Sequence, residues 1–217
     1  MKKVLFSTAL LLSLAGLNQA SAQKGFSLSV KGTPQFSWLQ NSDDNDNSSF
    51  SRKTTFNAGF GIGGAYNFDN HFGVGLDVLY SLQGQKYDVQ NKEYKQKTDY
   101  LKIPVMFLYN TDPSRPVSFI AKLGPQLGIL TSAKLNDGDG NELLDNKDSY
   151  KSITFGGVAV AGAQFRLNST LYLTTALRYD YDFTNAEDNS VAGYPSGRAD
   201  THNMTAGLEV GLKYLLK

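Results

Sequence analysis

The sequence predicts an all-β protein, an eight-stranded antiparallel up-and-down transmembrane β-barrel. Three features predict it: period-two hydrophobicity, a secretory signal, and connections that alternate between short and long. The clearest alternation covers 72–82, where apolar side chains from Phe72 to Leu82 take every second position and small or polar residues take most of the others. Because successive strand residues point to opposite faces, such a segment has one apolar face and one small, polar face.

The first 22 residues have the features of a secretory signal peptide. Lys2 and the lysine after it precede the apolar stretch Val4–Leu17, which is too short to span a bilayer comfortably, and Ala20–Ala22 provides a small-x-small cleavage site. We therefore expect residues 1–22 to be removed on export and residues 23–217 to form a single outer-membrane barrel domain.

Composition excludes several functional classes. Without the two signal lysines, 19 basic and 20 acidic residues remain, a formal charge of −1 that argues against a nucleic-acid partner. The chain has no cysteine, so it carries neither disulfides nor a lipoprotein anchor. No apolar run of about 18 residues follows the signal, which excludes a membrane helix but not barrel strands, whose hydropathy signal is much weaker.

The period-two pattern divides the rest of the chain into eight strands. Their predicted bounds are 25–39, 54–68, 71–88, 94–109, 117–134, 150–167, 170–184 and 201–216. Short connections at 69–70, 110–116 and 168–169 alternate with mostly longer connections, rich in Asn, Asp, Ser and Gly, at 40–53, 89–93, 135–149 and 185–200. This alternation is typical of an up-and-down barrel with both termini on the periplasmic side and its long loops outside the cell.

One strand departs from the simple pattern. In the sixth predicted strand, Val158 and Val160 share a face with Gly156 and Gln164. This mixture indicates either a β-bulge or an interior that is locally apolar.

The apolar face is predicted to point toward lipid. Glycine, serine and asparagine dominate the other face, and glycine is costly in a strand unless space is short, as it is inside a narrow barrel. Aromatic residues also gather at both ends of the strands, as expected for the girdles at the two membrane interfaces. The two groups are Tyr66, Phe68, Phe72, Tyr109, Phe119 and Phe165 near the short turns, and Phe36, Trp38, Tyr80, Tyr179, Tyr181 and Phe183 near the long loops.

Charged residues of both signs fall on the predicted inner face. They are Lys31, Asp77, Lys102, Lys122, Arg166, Arg178, Asp180, Asp182, Glu209 and Lys213. Buried ions persist only when paired, so the six basic and four acidic side chains predict a nearly self-neutralising network that plugs the lumen. The alternative is an ordinary solvated face.

The partner of one of these residues is open. Arg178 and Glu209 fall on neighbouring strands at similar heights, which favours a pair. Pairing of Arg178 with Asp180 or Asp182 on its own strand, or with Asp77 across the lumen, fits the pattern nearly as well.

Two segments resemble a known family. Asp99-Tyr100-Leu101-Lys102-Ile103-Pro104-Val105 and Gly124-Pro125-Gln126-Leu127-Gly128 are similar to the small outer-membrane β-barrel proteins of Bacteroidetes, called porin-family or PorT-like. The resemblance covers essentially the whole mature chain, and its most specific part is the Tyr-Leu-x-Ile-Pro segment. It implies an eight-stranded barrel in a Gram-negative outer membrane. It implies no defined activity, because the family is functionally diverse.

Few residues could carry catalysis. Ser196, Asp200 and His202 could form a Ser/His/Asp site, but they fall in one long loop without an orienting scaffold. An enzyme is therefore the least favoured class, and we expect no cofactor.

Acidic loops offer weak metal sites. The segment Asp137–Glu142 has oxygen ligands at alternate positions, as in a calcium loop, but Glu142 replaces the required glycine and Asp148 stands where glutamate is expected. Asp44 and Asp46 belong to a second acidic cluster. A solvated loop is the default in both cases, and we predict no metal site.

The sequence thus predicts a non-enzymatic integral outer-membrane barrel with a structural, surface-interaction or envelope-accessory role. Its expected partners are outer-membrane lipid, the outer-membrane assembly machinery, and extracellular or envelope proteins that contact the loops. Two alternatives remain: a narrow pore for small solutes, and a secreted soluble barrel that binds a ligand.

Overall fold

The computed structural model describes residues 24–44, 51–90 and 92–216, so the predicted signal peptide and Asp46 lie outside the described residues. Nine antiparallel strands account for most of this chain: β1 (Gly25–Gln40), β2 (Ser51–Asn67), β3 (Phe72–Val89), β4 (Lys92–Asn110), β5 (Val117–Asp137), β6 (Glu142–Asp145), β7 (Ile153–Arg166), β8 (Leu171–Asp182) and β9 (His202–Leu215). Within the described residues, one 3-10 turn covers Lys147–Ser149. No helix in the described part is long and apolar enough to cross a membrane.

Eight of these strands close into a ring. The hydrogen-bonded order is β4-β3-β2-β1-β9-β8-β7-β5, and β4 pairs with β5 to complete the circle. Each strand pairs antiparallel with its neighbours, and the terminal strands β1 and β9 lie side by side. The predicted eight-stranded up-and-down barrel is therefore confirmed. The remaining strand, β6, lies outside this ring and pairs with the long-loop end of β5. It falls in a segment that was predicted as a loop.

Apolar side chains point outward and polar side chains point into the barrel. One row of cross-strand partners joins Leu212, Val30, Ile62 and Val78 around the wall. Ile62 is 62% exposed, whereas the inward-pointing Glu209 is 1% exposed. This inversion of the usual burial pattern confirms the lipid-facing orientation of the apolar face.

Aromatic contacts mark the two edges of the lipid-facing band. Near the short turns, the ring centroids of Phe26 and Tyr66 lie 4.7 Å apart. Near the long loops, those of Phe36 and Phe56 lie 5.4 Å apart. From Phe56 to Tyr66, about ten residues at ~3.3 Å each, tilted by about 40°, span roughly 25 Å, the height of a lipid-facing band.

Small residues on the inner face permit the tight curvature of the wall. A methyl group added at Gly61 or Gly124 would strike a backbone carbonyl oxygen of the neighbouring strand, that of Val78 or Val105. The glycines of the inner face are therefore a steric requirement of the narrow barrel, as the sequence pattern indicated.

The ambiguous strand, β7, has a locally apolar interior. Val158 and Val160 are both 2% exposed and pack in the lumen with Met106 and Ala176. The pairing of β7 with β5 and with β8 runs through this region without a register shift, so no bulge is present there.

Candidate functional site

The ten predicted lumen residues occupy inward positions of the alternation, and nine of them are buried or partly buried. Lys31, Asp77, Lys102, Arg178, Asp180, Asp182 and Glu209 are buried, and Lys122 and Lys213 are partly buried. Arg166 is the exception and needs a correction. It is the last residue of β7, at the rim of the barrel, and its side chain is exposed rather than part of the ion network.

Arg178 is the centre of the lumen network. Its Nε and Nη2 donate hydrogen bonds to the two carboxylate oxygens of Asp180, at 2.9 and 2.8 Å. Its Nη1 donates to Oε2 of Glu209 at 3.1 Å, and Nη2 also donates to Oε1 of Gln126 at 3.2 Å. The guanidinium therefore joins both the neighbouring-strand partner and a same-strand partner, and Asp77 and Asp182 pair with other residues.

Glu209 gathers several cations around one carboxylate. Besides Arg178, it accepts a hydrogen bond from Nζ of Lys122 at 2.9 Å, and Nζ of Lys31 lies 4.0 Å away. Lys31 makes its shorter ion pair with Asp77, at 2.5 Å. The charges are close-packed and share partners, which is the arrangement that makes buried ions tolerable.

A second ionic layer lies closer to the long loops. Nζ of Lys102 donates to both carboxylate oxygens of Asp182 at 2.7 Å. Asp182 also accepts hydrogen bonds from the Thr154 hydroxyl at 3.0 Å and from the Asn203 amide at 3.1 Å. The same amide donates to the hydroxyl oxygen of Tyr100 at 3.2 Å. These side chains therefore link β4, β7, β8 and β9 across the lumen.

Little empty space remains between these layers. A cavity of about 10 Å³ lies beside Lys102 and Arg178, which holds no more than one water molecule. A second cavity of about 40 Å³ lies nearer the short turns, beside Lys31 and Lys122. Side chains thus fill most of the cross-section, as the geometry of an eight-stranded barrel dictates.

An arginine clasp, formed by Arg198, Asp44 and Glu187, joins the β8–β9 loop to the β1–β2 loop. Arg198 makes two hydrogen bonds to the carboxylate of Asp44, at 2.9 and 3.3 Å. It makes two more to the carboxylate of Glu187, at 2.8 and 3.1 Å. Hydrogen bonding to Glu187, together with the hydrogen bond to Asp44 and the charge of both carboxylates, raises the pKa of Arg198 above its usual value.

Further contacts join the remaining loops. The backbone N–H of Lys151 donates to the carbonyl of Ala186 at 2.8 Å, which links the two longest loops. Asn146 and Gln96 exchange side-chain hydrogen bonds of 2.8 and 3.0 Å, which link the β5–β7 connection to β4. Burial raises the pKa of Tyr87, near the long-loop end of β3, to about 12.

The candidate catalytic residues are not assembled. Nδ1 of His202 lies 3.0 Å from the backbone oxygen of Asp182, and its ring stacks on Tyr181 with centroids 5.4 Å apart. No hydrogen bond to Ser196 or Asp200 engages that histidine in the described part of the chain, so a Ser/His/Asp site is not formed there.

The calcium-like loop uses its oxygens internally. The carboxylate of Asp137 accepts hydrogen bonds from the backbone and side chain of Asn141, at 2.8 and 3.1 Å. These bonds lower the pKa of Asp137. Within residues 24–44, 51–90 and 92–216, no group of three or more His, Cys, Asp or Glu side chains is arranged to hold a metal ion.

The uncharged polar residues of the lumen and the arginine clasp were not predicted from the sequence. Gln126, Thr154 and Asn203 follow the same alternation as the charged residues, so attention to every inward position would have found them. The clasp offers no such signal, since Asp44 and Arg198 are far apart in the chain and occupy irregular loops.

A closed ring of strands, apolar outside and ionic within, defines an integral outer-membrane β-barrel. The profile of one family, the outer membrane protein beta-barrel domain, matches residues 7–213, and the chain belongs to that family. It lies in the outer membrane, in contact with lipid. A search of curated proteins finds no significant match.

Solved structures support the same fold. Neisserial surface protein A is similar with a TM-score of 0.52 and 14% identity, covering 89% of this chain and 98% of that one. OprG from Pseudomonas aeruginosa is similar with a TM-score of 0.51 and 13% identity, covering 92% of this chain and 100% of that one. At such low identity these likenesses show the fold alone.

The clasp leads to a prediction about the loops. Arg198→Ala should make the β1–β2 and β8–β9 loops several-fold more sensitive to added protease in proteoliposomes, because it removes two hydrogen bonds between these loops and two within the β8–β9 loop. The temperature at which the barrel unfolds should change little, because the clasp lies in the loops, outside the hydrogen-bonded ring of strands. Mass spectrometry of the fragments locates the cuts.

A matched control for Arg198→Ala is available at the short-turn end of the barrel. Arg115 is exposed beside a short turn and pairs with Asp112 within the same turn. Arg115→Ala should leave the cleavage rate of the long loops unchanged. Equal cleavage rates for wild type and Arg198→Ala would show that the clasp does not hold the loops.

Proposed function

We propose that this protein is a non-enzymatic outer-membrane barrel with a sealed lumen, which serves a structural, surface-interaction or envelope-accessory role. One observation carries the proposal: the ion pairs of Arg178 with Asp180 and Glu209, and the pair of Lys102 with Asp182, cross the lumen beside cavities of about 10 and 40 Å³. The resemblance of segment 99–105 supports membership of the porin-family or PorT-like barrels of Bacteroidetes. On this proposal the chain is exported with signal peptide 1–22 and inserted by the outer-membrane assembly machinery.

The loops provide the surface on which the proposed contacts occur. The arginine clasp joins the β1–β2 and β8–β9 loops, and such ordering before binding lowers the entropy cost of contact with a partner. Leu143, Leu144 and Val191 are exposed apolar residues of these loops, with 52%, 55% and 36% of their surfaces accessible. Exposed apolar groups on an ordered scaffold suit contact with an extracellular or envelope protein.

Planar-bilayer recording tests the sealed lumen. The wild-type protein should show no large, stable conductance, because paired side chains fill the barrel. A double variant, Arg178→Ser with Asp180→Ser, should admit more ions than wild type, because it removes the central pair while leaving no stranded partner between the two. Steady wild-type openings comparable to those of a general porin would contradict the proposal and favour the narrow-pore alternative.

Heating separates the membrane proposal from the soluble alternative. The protein should sediment with outer membranes and should run as a compact species in gels until boiled, because a hydrogen-bonded ring of strands resists detergent. A secreted ligand-binding barrel would stay in the soluble fraction.

A further inference from the structure

Lysine side chains gather on the outer face of the wall, above the long-loop edge of the lipid-facing band. Cross-strand pairing places Lys53 opposite Lys86, and Lys86 opposite Lys95, in one row across β2, β3 and β4. Lys97 lies two residues from Lys95 on the same face of β4 and is itself opposite Lys134 of β5. We call the lysines at positions 53, 86, 95 and 97 the lysine patch. Like charges directly opposite each other in a sheet are destabilising, so the patch requires negative charge nearby.

Strand β4 determines the direction and height of the patch. Lys95 and Lys97 belong to the same period-two set as Val105 and Phe107, which are 53% and 52% exposed on the lipid-facing wall. Tyr109 lies at the short-turn aromatic edge, so a band of roughly 25 Å ends about ten residues along the strand from it. Lys97 and Lys95 follow two and four residues beyond that point. They therefore lie roughly 5 and 10 Å above the band, at the height of the lipid headgroups.

The acidic partners of the patch lie on the side away from the membrane. The ion pairs are Lys53–Asp88 at 3.2 Å, Lys86–Glu93 at 2.6 Å and, beside the patch, Lys134–Glu142 at 2.7 Å. Asp88 and Glu93 each lie two residues farther from the band than the row of three lysines. Asp145 of β6 also lies opposite Lys134, so acidic residues of β6 neutralise that lysine. The side of the patch that faces the headgroups is consequently positive.

The two lysines nearest the band have no ion pair among the residues that the structure describes. Lys95 donates a hydrogen bond to the neutral side-chain oxygen of Asn57 at 3.3 Å. The carboxylate of Asp99, on the same face, acts on both Lys95 and Lys97, so two positive charges share one negative charge. Burial, together with the positive charges of Lys97 and Lys86, lowers the pKa of Lys95. A further anion at this position would relieve the repulsion.

We propose that the lysine patch binds phosphate groups of anionic lipid in the outer leaflet of the membrane. The long-loop end of an up-and-down outer-membrane barrel faces that leaflet. Lysine side chains extend their methylene groups along an apolar wall and place their ammonium groups among the headgroups. Phosphate there offsets the row of like charges, and basic clusters at a membrane surface attract anionic lipid in this way. The patch belongs to β2, β3 and β4, so the lipid binds on one side of the barrel.

A lipid titration of the intact barrel tests the proposal. In micelles of a non-ionic detergent, native mass spectrometry should detect diphosphoryl lipid A on the folded protein at concentrations where phosphatidylcholine does not bind. Lys95→Gln combined with Lys97→Gln should weaken lipid A binding by roughly 30-fold, about a factor of five for each lysine near an anionic surface. Equal affinities of this variant and wild type for lipid A would overturn the proposal.

Two control variants separate the patch from a general effect of charge. Lys95→Arg combined with Lys97→Arg keeps both charges and should bind lipid A as wild type does, and its failure to bind would count against the proposal. Lys147→Gln combined with Lys151→Gln removes the same charge from the connection between β5 and β7 and should also bind as wild type does. A matching loss in this second control would overturn the assignment to the patch. A shift in gel mobility on boiling shows that each variant is folded.

Inorganic phosphate distinguishes a lipid from a free ion. Added at the same total phosphate concentration as the lipid, it should leave the lipid A complex intact, because a free ion lacks the acyl chains that lie against the wall. Displacement of lipid A by inorganic phosphate would mean that the surface takes free phosphate, and the assignment to lipid would fall.

Discussion

Replacing Arg178 with methionine should lower the free energy of unfolding by about 3–5 kcal/mol. The guanidinium is buried and makes hydrogen bonds to Asp180, Glu209 and Gln126. Without it, among the residues that the structure describes, the hydroxyl of Thr205, at 3.1 Å, is the side-chain donor left to the carboxylate of Asp180. A buried carboxylate that loses its cation is costly in free energy, so the loss exceeds what an exposed ion pair would contribute.

Double variants distinguish the two carboxylate partners. Adding Asp180→Asn to Arg178→Met should recover a large part of the loss, because it removes the stranded charge. Adding Glu209→Gln should recover less, because Glu209 keeps Lys122 at 2.9 Å when the arginine is gone. The interaction free energy of each pair follows from a double-mutant cycle. Strictly additive losses in both cycles would show that Arg178 couples to neither carboxylate.

The free energy of unfolding of these variants can be measured with an intrinsic fluorophore. Trp38 is the single tryptophan of the chain, so its fluorescence follows unfolding by denaturant from lipid vesicles. The exposed pair of Lys134 and Glu142, 2.7 Å apart, is a suitable control. Its cycle should give less than about 1 kcal/mol, as surface ion pairs do.

The sequence was sufficient to predict the barrel and the direction of its faces. Alternation with period two determines which side chains share a face, so the inward positions of Asp77, Arg178 and Glu209 followed from the pattern. The small residues of the inner face then indicated that the apolar face points toward lipid and that the polar face lines the barrel interior. These features are local and repeat along each strand, and for that reason they are visible in one sequence.

Height along the barrel and contacts between loops were not predictable in the same way. Alternation predicts the direction of the Arg166 side chain but not its height along the barrel. Arg166 ends β7 at the rim, where its side chain cannot reach the ion pairs of the lumen. Strand β6 depends on β5 continuing to Asp137 above the membrane. The clasp joins Arg198 to Asp44 through loop conformations that have no periodic pattern.

Replacing Ile62 with arginine should destabilise the protein in bilayers by about 2–4 kcal/mol. Ile62 lies in β2, near the middle of the stretch between Phe56 and Tyr66, and is paired with Val30 and Val78. Its side chain is 62% exposed, so a substitution there disturbs little packing inside the protein. The expected cost arises because the guanidinium would lie at the centre of the lipid band, far from either interface.

Leu143→Arg provides the matched comparison. Leu143 is 52% exposed, similar to Ile62, but it belongs to β6, above the membrane on the loop side. Its replacement should change the free energy of unfolding by less than about 0.5 kcal/mol, as exposed substitutions in water usually do. Both values come from denaturant unfolding in the same vesicles. Equal tolerance of arginine at the two positions would mean that Ile62 faces water, and the lipid-facing wall would have to be abandoned.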